Sequence, residues 1–231
     1  MKATDTAQEV MVLQGVLSAP LLQQLGVVLS QAEFTDGRAT ATDAAKSVKQ
    51  NLQIDTQNQT VLPAAQHLIG QALMQYPAFH TAFFPMRLFP FLLSKYEPGM
   101  QYGWHVDSPI MGNPPVRTDL AMTLFLSDPA SYDGGELVIR DAQGEKAYKP
   151  AQGDAVVYPC RFVHCVREVT RGQRLAAVSW IQSAVRSPEQ RTVLQQLHQV
   201  YEQLNRQDPN SAQGNQLLQT WSNLLRMWAE V

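Results

Sequence analysis

Residues 118–182 read TDLAMTLFLSDPASYDGGELVIRDAQGEKAYKPAQGDAVVYPCRFVHCVREVTRGQRLAAVSWIQ. Short apolar or alternating runs fill this stretch: TDLAMTLFLS, GELVIRD, EKAYKP, DAVVYP, FVHCVREV and RLAAVSWIQ. Between them lie DGG, AQG and TRGQ, all of which carry turn chemistry. Short strands at this spacing predict an antiparallel sandwich or barrel, and jelly rolls manage their sheet edges in this way. Working upstream, FPFLLSKY (residues 89–96) adds a further strand, and EPG and NPP add further turns. The strand-rich core is therefore expected over residues 83–183.

The flanks have a different texture. VMVLQGVL (10–17) predicts a strand, and SAPLLQQLGVVL after it a helix, with Ser18 as N-cap and Pro20 in the first turn. Phe34 to Asn51 is rich in Thr, Ala, Asp and Lys and reads as a loop or partly ordered flap, either closing over a substrate or simply moving. In LPAAQHLIGQALMQYP, residues Leu62, Ala65, Leu68, Ile69, Ala72 and Leu73 fall on one helical side. Residues 1–82 are thus expected to pack on the core. Beyond it, residues 184–231 form a helical extension. SPEQR opens with a cap signal of Ser187, Pro188 and Gln190. Val193, Leu194, Leu197, Val200, Tyr201 and Leu204 make one apolar stripe; Leu217, Leu218, Trp221, Leu224, Leu225 and Trp228 make a second. Each stripe needs a partner. A hairpin packed on the sheet supplies it in the plainer reading, and a homodimer contact in the sharper one.

Composition narrows the classes. The chain has 231 residues, 45% of them hydrophobic, enough for one sizeable core. Its net charge is −2 and its Lys and Arg are scattered, so no basic field points to nucleic acid. No stretch approaches the roughly 18 uninterrupted apolar residues of a membrane span, and MKATDTAQEV lacks the apolar run of a signal peptide. Two cysteines, Cys160 and Cys165, cannot make a disulfide framework. These features predict a soluble, cytoplasmic protein.

Chemistry enters at YGWHVDSP (102–109), where His105 and Asp107 sit two apart. A ferrous site of the facial type needs two imidazoles and a carboxylate on one octahedral face. Of the five histidines, His67 and His198 fall on predicted helices and His80 precedes the sheet. His164, in FVHCVREV, is the downstream histidine within the strand-rich core and the natural third ligand. Zinc held by Cys160, His164 and Cys165 is disfavoured, because His164 and Cys165 are adjacent on a strand and face opposite sides. Ten residues after His164, Arg174 opens an otherwise apolar strand. Either solvent or a carboxylate held in a bidentate fork accounts for it. If the two strands pair as a hairpin, His164 and Arg174 share a face only when paired residue numbers sum to an even value, as with Glu168 opposite Arg174. Gly134 and Gly135 suit a tight turn or bulge. Trp104 is a candidate pocket wall, and Arg117 with Asp119 a local ion pair.

The order His-x-Asp, GGEL, His, then Arg ten residues on resembles the iron(II)/2-oxoglutarate dioxygenases. More narrowly, KYEPGMQYGWHVD, TDLAMTLFLSDPASYDGGELVI and GDAVVYPCRFVHCVREVTRGQRLAAVSWIQS resemble the bacterial PKHD-type hydroxylases, relatives of prolyl and lysyl hydroxylases. The resemblance covers most of the chain, including the part after SPEQR. It implies a mainly β fold with flanking helices: a double-stranded β-helix, the jelly-roll or cupin-like form, plus the C-terminal helical hairpin. It implies Fe(2+) held by His105, Asp107 and His164, with 2-oxoglutarate bound through Arg174 and, more weakly, Tyr96. It implies an oxidoreductase that uses molecular oxygen to hydroxylate a small-molecule, peptide or protein substrate, while 2-oxoglutarate becomes succinate and carbon dioxide. L-ascorbate (vitamin C) would assist by keeping the iron reduced. The competing class is a non-catalytic cupin-like metal-binding or iron-sensing module, which has no need of both the triad and Arg174. Nucleic-acid demethylases on this scaffold carry a second arginine shortly after the first on the last strand, and AAVSWIQS supplies none.

Overall fold

A computed structural model of the chain describes residues 9–41, 43–209 and 211–231. The N-terminal part runs β1 (Met11–Leu13), α1 (Ala19–Leu29), β2 (Phe34–Asp36), a one-turn α2 (Asp43–Lys46), β3 (Lys49–Gln50), β4 (Leu52–Ile54), α3 (Val61–Met74) and α4 (Pro77–Phe83). The middle adds β5 (Pro85–Leu88), β6 (Leu92–Tyr96), β7 (Gln101–His105), β8 (Ile110–Met111), β9 (Val116–Arg117), β10 (Leu120–Phe125), β11 (Asp133–Gly134), β12 (Leu137–Asp141) and β13 (Gly144–Tyr148). Then come β14 (Ala155–Pro159), β15 (Val163–Val166), β16 (Val169–Arg171) and β17 (Arg174–Ser183), followed by helices α5 (Pro188–Gln207) and α6 (Ala212–Trp228).

Two antiparallel sheets face each other as a jelly roll. The larger has the order β1-β14-β10-β17-β6-β4-β2, with β5 also on β17; the smaller has the order β13-β12-β15-β7-β3. Strand alternation explains how the larger sheet serves two cores. On β10, Leu120, Met122 and Leu124 join the cluster under α1, α3 and α4, while Ala121 and Phe125 face the smaller sheet. On β14, Ala155 and Val157 point one way, Val156 and Tyr158 the other. Because both faces are covered, every residue of β10 is buried, and its sequence is apolar almost throughout.

The sequence expectations hold for the long elements and fail at short ones. The predicted strand over 10–17 ends at Leu13, because the chain turns at Gly15 (φ 63°), whose N–H donates to Asp154 Oδ1 at 2.7 Å. Helix α4 is an element the sequence reading did not identify. Among the described residues of Phe34 to Asn51, β2 and β3 are edge strands, one on each sheet. The C-terminal cap forms as expected, with Ser187 Oγ accepting from the Gln190 N–H at 3.2 Å. The α5–α6 hairpin packs through Leu194, Trp221 and Trp228 on Phe84 and Val185. Arg117 stitches it to the sheet, bonding Asp119 and Glu230 at 2.7 Å each.

The glycine pair before β12 has the role expected of it. Gly134 has φ 72°, at a register irregularity between β11 and β16. A Cβ there would lie 2.0 Å from the Glu168 carbonyl oxygen. Gly134→Ala will therefore destabilise the protein by at least about 2 kcal/mol. That is a fall in Tm of roughly 4–8 °C for a domain of this size. An unchanged melting curve would mean that the backbone there can shift freely.

Candidate metal centre

Strands β7 and β15 are neighbours, and their register pairs His105 with His164. From that pair to the next, Tyr102 with Val166, β7 uses three steps where β15 uses two. This bulge interrupts the alternation. Tyr102 and His105 both reach the inner face as a result and stack with ring centroids 3.7 Å apart. Gly103 sits inside the bulge, where a Cβ would lie 2.8 Å from the Val48 Cβ. Trp104 turns outward, 40% exposed, under the Arg140 guanidinium. It does not wall the pocket, contrary to the expectation drawn from its place beside His105.

His105, Asp107 and His164 converge, each offering one ligand atom, and these atoms all lie within 4.8 Å of one another. Both imidazoles are oriented from behind. His105 Nδ1 is 2.8 Å from the Gly103 carbonyl oxygen and His164 Nδ1 is 3.0 Å from that of Phe162. Carbonyls only accept, so each Nδ1 carries the proton and each Nε2 presents a lone pair to the cavity. Burial, and then the neighbouring His164, push the His105 pKa down to about 3, so this ring is neutral at physiological pH. The Asp107 carboxyl is pushed up by burial and pulled back by His164 and by the Trp180 indole N–H beside it. Its Oδ2 is buried with no hydrogen-bond partner. Such an orphaned oxygen between two imidazole lone pairs fits a divalent cation.

The wall of the same cavity holds Arg174, 1% exposed. It pairs with Tyr96 in the register of β17 and β6, and its guanidinium lies 5.1 Å from the Tyr96 ring and 5.2 Å from the Phe125 ring. Its Nε and Nη2 have no partner. The hairpin parity between His164 and Arg174 does not apply, because β15 and β17 belong to opposite sheets. The two side chains share the cavity because the chain crosses between sheets, and each faces inward from its own. Arg174, Val178 and Trp180 all line the cavity from β17, as alternation requires.

The remaining candidates fall elsewhere. His67, His80 and His198 lie outside the cluster, the last tilted against Trp221 with ring centroids 5.6 Å apart. Cys160 and Cys165 are buried free thiols, and burial pushes both thiols up, away from the thiolate a metal needs. Reading the sequence missed Lys49, Asn51 and Gln53, which all line the cavity although each is at most 5% exposed. Lys49 and Asn51 fall in the segment read as a loop or flap and Gln53 just beyond it, and because Gln50 is polar too, KQNLQ carries no alternation that would have marked them.

Comparison with known proteins agrees with this geometry. Residues 91–182 match the family model of the 2OG-Fe(II) oxygenase superfamily, and residues 189–230 match that of the PKHD-type hydroxylase C-terminal domain. A PKHD-type hydroxylase of Stutzerimonas stutzeri is 41% identical over 220 residues, covering 94% of this chain and 97% of that protein. The Escherichia coli PKHD-type hydroxylase YbiX is 40% identical with the same coverage. Among solved structures, a Pseudomonas putida prolyl-4-hydroxylase superposes with a TM-score of 0.52 at 20% identity, covering 77% of this chain and 94% of that one. A Trichoplax adhaerens prolyl hydroxylase gives 0.57 at 12% identity, covering 76% and 84%. The structural likeness carries the fold; the sequence likeness, spanning nearly the whole length of its relatives, carries more: this chain belongs to the PKHD-type hydroxylases of the 2OG-Fe(II) oxygenase superfamily.

Proposed function

We propose that in this iron(II)- and 2-oxoglutarate-dependent hydroxylase His105, Asp107 and His164 hold the metal, and that Arg174, with Tyr96 beside it, takes the far carboxylate of 2-oxoglutarate. One observation carries the reading: a pair of complementary orphans on one cavity wall. Asp107 Oδ2 lacks a cation, and Arg174 Nε and Nη2 lack an anion. Each is costly to bury alone. A ferrous ion chelated by a dicarboxylate answers both at once.

When bound, iron and cosubstrate supply the oxidising power: 2-oxoglutarate is converted to succinate and carbon dioxide, and one atom of molecular oxygen is placed on a C–H bond of the substrate. The chain's own part is binding, orientation and dryness. The Gly103 and Phe162 carbonyls lock the two imidazole tautomers. Tyr102 holds the His105 ring flat from one side, and Tyr158 meets the His164 ring edge-on with centroids 5.0 Å apart. Tyr96 and Phe125 keep water from the guanidinium, so its charge acts at low dielectric.

The same reading extends to L-ascorbate as assisting reductant, since the site works only with reduced iron. It extends to a cytoplasmic setting, supported by two unpaired buried thiols, and to a homodimer through the C-terminal helices, on which Val200 and Met227 stay exposed. The division into 1–82, 83–183 and 184–231 belongs to it as well. Anaerobic titration of metal-free protein with Fe(II) and 2-oxoglutarate is the test. The expected result is a weak visible charge-transfer band that saturates with one equivalent of each. Metal binding without a band would sink the assignment of Arg174 and the triad to a common chelate.

A further inference from the structure

The cavity contains a second buried cation that neither metal nor cosubstrate employs. Lys49 pairs with Tyr102 on the edge of the smaller sheet, and Gln53 with Ser94 in the larger one, where β4 lies between β6 and the edge strand β2. Within residues 49–53 the chain therefore crosses the open side of the sandwich. Lys49, Asn51 and Gln53 point inward and Gln50 outward. Lys49 Nζ donates to Thr40 Oγ1 at 2.8 Å and lies 5.4 Å from the centre of the Tyr102 ring, which itself stacks on His105. Thr40 Oγ1 in turn bonds Gln53 Oε1 at 2.6 Å, and Gln53 Nε2 donates to Ser94 Oγ at 3.0 Å. Asn51 differs from these neighbours: its Oδ1 and Nδ2 are both buried without a hydrogen bond of ordinary geometry, the amide lying beside the Tyr96 hydroxyl and against Gly37.

Charge sharpens the point. The cavity wall bears two basic groups, Arg174 and Lys49, the latter with its pKa drawn down to about 8 by burial, and one carboxylate, Asp107. Among the described residues no carboxylate forms an ion pair with Lys49; Asp36, whose field reaches it, is engaged by Arg38. A buried ammonium of this kind is costly unless an anion completes it. The cosubstrate has one distal carboxylate, and the planar fork of Arg174 matches it better than a point charge does.

We propose that Lys49 and Asn51 form the subsite for a carboxylate of the primary substrate, so that the molecule hydroxylated is an organic acid held by that group beside His105. This rests on the metal and cosubstrate reading, which leaves Lys49 as the spare cation. One ammonium and one primary amide suit a monoanion with two acceptor oxygens; a phosphate dianion calls for more donors than these. A purely structural lysine would account for the Thr40 bond and not for the orphaned amide.

The test uses zinc-loaded protein saturated with 2-oxoglutarate, so that Arg174 is occupied and no turnover occurs. Acetate, propionate and N-acetylglycine are compared with their neutral amides by ligand-observed NMR. Wild type will bind the acids at least about tenfold tighter than the amides. Lys49→Met will erase that preference, Lys49→Arg will retain it, and both will bind 2-oxoglutarate within about twofold of wild type. Equal binding of acids and amides by folded wild type overturns the inference, as does inorganic phosphate displacing the acids at lower concentration. A tenfold loss of 2-oxoglutarate affinity in Lys49→Met overturns it too, since Lys49 would then serve the cosubstrate. Failure of wild type to take up zinc and 2-oxoglutarate at all would instead refute the metal and cosubstrate assignment beneath it.

Discussion

The His164→Ala protein will fold, yet give no visible band with Fe(II) and 2-oxoglutarate, and will form succinate at least about 1000-fold more slowly than wild type, a loss of roughly 4 kcal/mol of transition-state stabilisation. The magnitude follows from what the ring does. It offers one of the two Nε2 lone pairs that converge on Asp107, and its own Nδ1 hydrogen is already committed to the Phe162 carbonyl. On the proposed assignment, alanine leaves two protein ligand groups and an open space where the third stood. The fold bears the change, because what is lost is one buried hydrogen bond and some packing against Tyr158, roughly 1–3 kcal/mol of stability. Trp104→Ala is the matched control. It lies on the bulged strand one residue from His105 but faces outward, so its iron–cosubstrate band will match that of wild type. A band that survives in His164→Ala would place the metal elsewhere.

Arg174→Met will move two quantities in opposite directions. Affinity for 2-oxoglutarate will fall roughly 100- to 1000-fold, the usual cost of removing a buried, charge-assisted partner. The ligand-free protein, by contrast, will melt at the same temperature as wild type or above it. Arg174 is almost wholly enclosed, and Nε and Nη2 meet no acceptor, so the empty site holds an uncompensated charge that methionine removes while filling similar space. The aromatic faces of Tyr96 and Phe125 offset part of that cost, which is why the expected gain is only about 0–2 kcal/mol. Calorimetric titration reads the first quantity and thermal melting without ligand the second. If Arg174→Met melts several degrees below wild type, the arginine is a structural post and its orphaned N–H groups carry no functional meaning.

This pairing of costs accounts for much of how the protein is built. Asp107 and Arg174 are each unfavourable in the empty cavity, and the fold tolerates them because the helices on one side and the second sheet on the other bury a large apolar surface around them. The site is poised for charged ligands by the same low-dielectric surroundings that destabilise it when empty.

By itself, the sequence determined the long β-runs, the C-terminal helical pair with its Ser187 cap, and the identities of His105, Asp107, His164 and Arg174 as candidates. These were legible because period-two and period-three-to-four patterns are local, and because a carboxylate, two imidazoles and an arginine in apolar strands each demand a partner. Only the tertiary structure decided which side chains share the cavity. Alternation predicts faces within an unbroken strand, and the bulge at Gly103 breaks it, so Tyr102 and not Trp104 stands beside His105. Nor can alternation relate two strands that lie in different sheets, which is why a hairpin rule could not place Arg174 against His164. The Lys49–Asn51–Gln53 strip was hidden for a third reason: polar residues read as solvent-facing, and their burial depends on two strand pairings, with β7 and with β6, that lie some 40 to 50 residues away in the chain.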